Sequence, residues 1–227
     1  MSHMVEVGHL ERDLGASAFY AIEDELDWEH LPYVHASTFS EAKLIQADRN
    51  GWEADVVLTN GDAMLMRVTV DEDRMGYVNA TFADGVENGR AVARLTTTGP
   101  DTCRISLRFF VPDRRHLDRK SVGGFYQELF GRLLDEDEPK MILRAKAVKD
   151  GPSARKLRRM AELADGTKCE VPVVCPHRGL PLTCEPDSNG TMTCPWHGYQ
   201  FDARTGKCLS GQIRGWKNSV TSPAEKT

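Results

Sequence analysis

Asn50-Gly51-Trp52-Glu53-Ala54-Asp55-Val56-Val57-Leu58-Thr59-Asn60-Gly61 sets the pattern for the larger part of this 227-residue chain. Apolar Trp52, Ala54, Val56 and Leu58 alternate with Glu53 and Asp55, the period of a half-buried β-strand, and an Asn-Gly pair at each end is a hairpin turn signal. The alternation continues outward and predicts strands over 42–48, 53–59, 63–71, 75–82, 90–98 and 102–111. Between them stand the turn signals Asn50-Gly51, Asn60-Gly61, Ala83-Asp84-Gly85, Asn88-Gly89 and Gly99-Pro100-Asp101, short enough to make an antiparallel meander. Residues 17–40 read as helical. From Ser121 the apolar residues Val122, Phe125, Tyr126, Leu129, Phe130, Leu133 and Leu134 recur at helical spacing, so a long amphipathic helix should pack on the sheet.

Helices, six strands and a closing helix, in that order, resemble the helix-grip fold shared by START-type lipid-binding proteins and the catalytic domain of Rieske oxygenases. The resemblance implies an α+β class, with the sheet curled around the last helix and a cavity between them. Asp150-Gly151-Pro152-Ser153 ends the helical segment and is the expected boundary. On this reading residues 1–3 are a cloning remnant, 4–150 the helix-grip domain, 151–218 a small mostly-β domain and 219–227 a flexible tail. In the small domain, strands are expected within 168–174 and over 191–193.

Within that domain Cys175-Pro176-His177 is followed, after sixteen residues, by Cys194-Pro195-Trp196-His197. Two Cys/His pairs can hold a [2Fe-2S] cluster asymmetrically, thiolates on one iron and imidazoles on the other. Exchanging two anionic sulfurs for neutral nitrogens raises the reduction potential by roughly several hundred millivolts. Two Cys and two His also suit a tetrahedral zinc ion, although zinc sites usually group like ligands in CxxC and HxxxH pairs. The stretches Cys175-Pro-His177-Arg-Gly-Leu-Pro-Leu and Cys194-Pro-Trp-His197-Gly-Tyr-Gln-Phe-Asp202 resemble the Rieske family, in the branch of oxygenases and ferredoxins. Leu180 and Trp196 stand at or near the places where respiratory members carry an extra disulfide. The resemblance implies that Cys175, His177, Cys194 and His197 bind the cluster, and that backbone N–H groups at Arg178-Gly179 and Gly198-Tyr199 donate to its sulfurs.

A second motif lies in the first domain. Asp27 and His30 are three residues apart, on one helical face. His35 follows His30 by five residues, a rotation of about 140° on a continuous helix. Pro32 between them can kink the chain and let both imidazoles converge. Two His and one carboxylate make the ligand set of non-haem Fe(II) oxygenases. Asp24, Asp27, His30 and His35 resemble, in spacing, the mononuclear-iron motif of Rieske oxygenase α subunits. That resemblance implies His30 and His35 as iron ligands and Asp27 as the residue connecting the two metal centres. The carboxylate is expected from Asp135, Glu136, Asp137 or Glu138, and Asp137 is chosen. The domain order is inverted relative to the usual α subunit.

A formal net charge of −5 argues against a general nucleic-acid binder, and no run of eighteen apolar residues or signal pattern points to a membrane, so the cytoplasm is expected. Cys103, Cys169, Cys184 and Cys208 are expected to be free thiols. The expected function is a compact Rieske non-haem iron oxygenase with a [2Fe-2S] cluster and a mononuclear Fe(II), drawing electrons from a reductase or ferredoxin to oxidise a small organic substrate with O2. The resemblance further implies a homo-oligomer, commonly a trimer. The alternative is a Rieske electron carrier or redox-responsive protein fused to a START-like ligand-binding domain without a second metal.

Overall fold

The structure, a computed structural model, describes residues 3–211, 215 and 220–221. The described chain divides into two compact units, Met1–Ile142 and Leu143–Thr227.

The first unit is built on a seven-stranded antiparallel sheet of order β1-β7-β6-β5-β4-β3-β2. Its strands are β1 (Met4–Leu14), β2 (Phe39–Asp48), β3 (Gly51–Leu58), β4 (Ala63–Val70), β5 (Gly76–Ala83), β6 (Val86–Gly99) and β7 (Thr102–Pro112). The last six match the expected strands to within a few residues. Strand β1 was not expected, and it pairs with β7 from Met4↔Pro112 to Leu14↔Cys103. The Asn88-Gly89 signal is no turn but lies inside β6. The hairpin closes earlier, where Asp84 and Gly85 both take positive φ, and the surplus is absorbed by a register shift at Thr81/Phe82.

The expected helix over 17–40 is instead three pieces, α1 (Ala18–Glu25), a 3-10 turn (Trp28–His30) and α2 (Leu31–Val34), and residues 39–40 already belong to β2. Asp27, at φ −98° and ψ 72°, leaves helical geometry, and Pro32 sits in the first turn of α2, where its missing N–H costs nothing. This break gives the histidines their freedom to converge.

Asp118 opens the closing helix α3 (Arg119–Ala154) by accepting from the Ser121 N–H at 3.1 Å. The helix crosses β1 at a glycine pair, because a Cβ on Gly123 would lie 2.0 Å from the Val7 carbonyl oxygen. Tyr126 and Phe130 pack on Phe109 of β7, ring centroids 5.4 and 5.0 Å away, each pair contributing roughly 0.5–1.5 kcal/mol beyond area burial. Phe125, assigned to the same face by spacing, is 62% exposed. The acidic run before Pro139 is no helix junction: α3 continues through it.

Gly151 does break the helix, at φ 60° and ψ −153°, yet the units divide at Ile142/Leu143, eight residues before the expected boundary. The reason is contact: within the second unit Arg144 donates to the Arg178 carbonyl at 2.7 Å, so the last turns of α3 belong with it. That unit holds a sheet of β8 (Arg158–Glu162), β9 (Lys168–Pro172) and β12 (Val220–Thr221), and a hairpin of β10 (Thr191–Thr193) and β11 (Gln200–Asp202). Val220 and Thr221, in the expected tail, pair with Cys169 and Lys168; the rest of that tail and residues 1–2 lie outside the described residues. All six cysteines are free thiols, and no helix among the described residues is long and apolar enough to cross a membrane.

Candidate metal centres

In the second unit the two Cys/His stretches fold as near-copies of one loop. Each starts at a buried cysteine whose N–H donates five residues ahead, Cys175 to the Leu180 carbonyl at 2.7 Å and Cys194 to the Tyr199 carbonyl at 2.9 Å. Each cysteine carbonyl accepts from a glycine four residues on, Gly179 or Gly198, both at 2.9 Å. Those glycines have φ 77° and 64°, a left-handed turn that a side chain would strain. Their N–H groups thus serve the cysteine carbonyls. The thiols receive instead the N–H of His177 at Cys175, and those of Trp196 and His197 at Cys194.

The loops bring together Cys175, His177, Cys194 and His197, the four expected ligands. The imidazoles of His177 and His197 lie 4.7 Å apart between centroids, nearly perpendicular. Cys175 hydrogen-bonds to Cys194, which pushes the first thiol far above its ordinary range and draws the second down to about 5. Trp196 ties the second loop to the first by donating from its indole to the Pro181 carbonyl at 2.8 Å.

In the first unit the broken helix brings His30 and His35 together edge-on, their Nε2 atoms 3.2 Å apart. Asp137, from α3, puts Oδ1 at 3.4 Å from the first and 3.0 Å from the second. The remaining ring nitrogens point outward. His30 Nδ1 meets the Asp27 carbonyl oxygen, and His35 Nδ1 meets Glu136 Oε2 at 2.6 Å. Both partners are acceptors, so both Nδ1 atoms carry the protons and both Nε2 lone pairs face Asp137. Three acceptors that converge in this way can hold a cation, and outward hydrogen bonds of this kind fix a metal-ligating imidazole. A proton competes for the same place: despite burial, the Asp137 and Glu136 carboxylates raise the His35 pKa. Without a cation, the same two rings protonated at Nε2 would donate to Asp137 and, against its desolvation, hold it far below its usual range.

The four acidic candidates on α3 have separate tasks. Asp135 and Glu138 pair with Arg12 at 2.5 and 2.8 Å, Glu136 orients His35, and Asp137 alone reaches both imidazoles. One turn on, Lys140 is 3% exposed and pairs with Asp24 at 2.7 Å and Asp27 at 3.2 Å. Burial raises Asp24 to about 6, against the pull of that ammonium. Sequence reasoning missed Lys140. Its one signal was its place three residues after Asp137, on the same helical face.

A family model for the Rieske [2Fe-2S] domain matches residues 155–215, so the second unit carries a Rieske domain and, with it, a [2Fe-2S] cluster. The first unit shares its fold with the Zhui aromatase/cyclase from Streptomyces sp. R1128, at 11% identity and a TM-score of 0.50 over 64% of this chain and 98% of that one. An uncharacterised protein from Bacillus thuringiensis aligns at 13% identity and a TM-score of 0.46, over 62% and 99% of the two chains. No curated protein matches the chain. The architecture is thus a helix-grip, START-like α+β unit followed by a small β Rieske unit, with the redox chemistry of an iron-sulfur protein.

Proposed function

We propose that the chain is a compact Rieske-type non-haem iron oxygenase. Cys175, His177, Cys194 and His197 would hold the [2Fe-2S] cluster, and His30, His35 and Asp137 a mononuclear Fe(II). The observation that carries this reading is the convergence of two Nε2 lone pairs and one carboxylate oxygen, with both Nδ1 protons directed away. This donor set suits Fe(II) and leaves open positions. When bound, the cluster would supply single electrons and the iron would activate O2 for oxidation of a small organic molecule.

The chain's own residues do the rest. The Asp27 carbonyl and Glu136 hold the two imidazoles in the ligating tautomer. Lys140 keeps the Asp27 side chain in place, so Asp27 positions His30 while serving as the proposed link between the centres. Apolar Leu14, Phe39, Ile105 and Met141 wall the adjoining cavity and exclude bulk water. At about 50 Å³ the cavity admits a molecule of only a few heavy atoms without movement of its walls. An external reductase or ferredoxin is the proposed electron source, a ring of subunits such as a trimer the proposed assembly, and the cytoplasm the proposed location.

Iron and acid-labile sulfide analysis after loading with Fe(II) tests the reading. About three irons and two sulfides per chain are expected. His30→Ala should remove about one iron and leave the visible spectrum of the cluster unchanged. A wild type that holds only two irons makes the protein a Rieske electron carrier joined to a ligand-binding domain.

A further inference from the structure

The cavity beside His30, His35 and Asp137 has one polar feature that the proposed iron site leaves unused. Glu25, the last residue of α1, turns its carboxyl into it. Tyr77 and Asn79 face it from β5, two residues apart and so on one side of the strand. Asn79 Nδ2 donates to Glu25 Oε1 at 3.4 Å, and the Tyr77 hydroxyl hydrogen-bonds to the same carboxyl. Both partners are neutral. No ion pair of Glu25 occurs among the described residues, and neither Lys nor Arg is among the residues lining the cavity. The residue keeps some open surface, yet its carboxyl sits among Asp24, Asp137 and the ring of Tyr77, where burial first and those charges second push it up to about 8.

The charges nearby account for one another without it. Asp24 and Asp27 share the Lys140 ammonium, and Asp137 faces His30 and His35. Glu25 remains as a carboxyl whose ionised form nothing in the site offsets. A guest that brings one positive charge would supply the missing partner and let Glu25 give up its proton. A hydrocarbon or an anion would leave Glu25 as it is or add repulsion.

We propose that Glu25 is the counter-ion for a small protonated amine bound in this cavity, with Tyr77 and Asn79 holding the carboxylate in place. The inference rests on the reading of the cavity as the substrate site of the proposed oxygenase, and it names the substrate class as a small aliphatic amine of a few heavy atoms. The ammonium would donate to the Glu25 oxygens, and the apolar remainder would lie against the walls the cavity shares with the iron site.

The test is calorimetry at pH 7 on the full, iron-loaded chain with two probes of similar shape, isopropylammonium chloride and isopropanol, and with iron counted in the same samples. The wild type should bind the ammonium at least about tenfold more tightly than the alcohol. Glu25→Gln, which keeps shape and hydrogen bonding, should lose that preference while still binding the alcohol, which also shows that the cavity is intact. Tyr77→Phe should weaken the ammonium less than Glu25→Gln does. A wild type without preference for the ammonium, including one that binds neither probe, overturns the proposal, as does a preference that survives Glu25→Gln. The iron count separates the two readings: about three irons without ammonium preference removes only the amine site, whereas a Glu25-dependent preference with about two irons removes only the oxygenase.

Discussion

The two candidate metal centres are assembled on opposite principles. In the second unit all four ligands lie within 23 consecutive residues, 175–197, on two loops that repeat the same hydrogen bonds and the same left-handed glycine. In the first unit His35 and Asp137 stand about a hundred residues apart and meet only because α3 lies across the curled sheet. A local centre depends on turn chemistry. A distributed one depends on everything that holds the helix in register.

The largest expected effect removes the local centre alone. Cys194→Ser should abolish the visible colour and both sulfides of the cluster while the first unit keeps the iron proposed for it, read by absorbance and metal analysis. Loss of iron from both centres would show that the units do not fold separately.

Lys140→Met tests the distributed centre through its charge balance. It leaves Asp24 and Asp27 buried without their ammonium, and breaking such a pair costs about 3–5 kcal/mol. The urea midpoint of the first unit should fall and its iron affinity change, with the cluster spectrum unaltered. Adding Asp24→Asn should recover part of the stability.

The smallest effect probes register without touching any ligand. Gly123→Ala sets a Cβ against the Val7 carbonyl, forces α3 away from β1 and should destabilise the first unit by about 1–3 kcal/mol. Because Asp137 lies on the same helix, the variant should also loosen iron at His30 and His35. Unchanged iron binding would mean that the local geometry of Asp27–His35 suffices for that centre.

The sequence made different parts of the molecule legible to different degrees. Strands β3 to β7 could be read from the patterning of their buried residues and the turn that closes each, and β2, exposed beyond Phe39, from the hairpin signal that joins it to β3. Strand β1 could not. Its run Met4-Val-Glu-Val-Gly-His-Leu-Glu-Arg-Asp-Leu14 is interrupted by a register shift between Glu6 and Gly8, and its partner, β7, lies about a hundred residues away. Phe125 has the right spacing for the inner face of α3 yet is 62% exposed, two residues after the close approach of Gly123 to β1.

By itself the sequence made legible the four candidate ligands of the Rieske loops, the meander and the convergence of His30 with His35 across a proline, because each rests on residues close along the chain. Only the tertiary structure decided which of four carboxylates faces the imidazoles, that Lys140 is buried between Asp24 and Asp27, and that Glu25 stands over the cavity with neutral partners alone. Helical spacing allows every residue of 135–138 some direction around the axis, and the rotation of α3 on the sheet, set by core packing far along the chain, selects one of them.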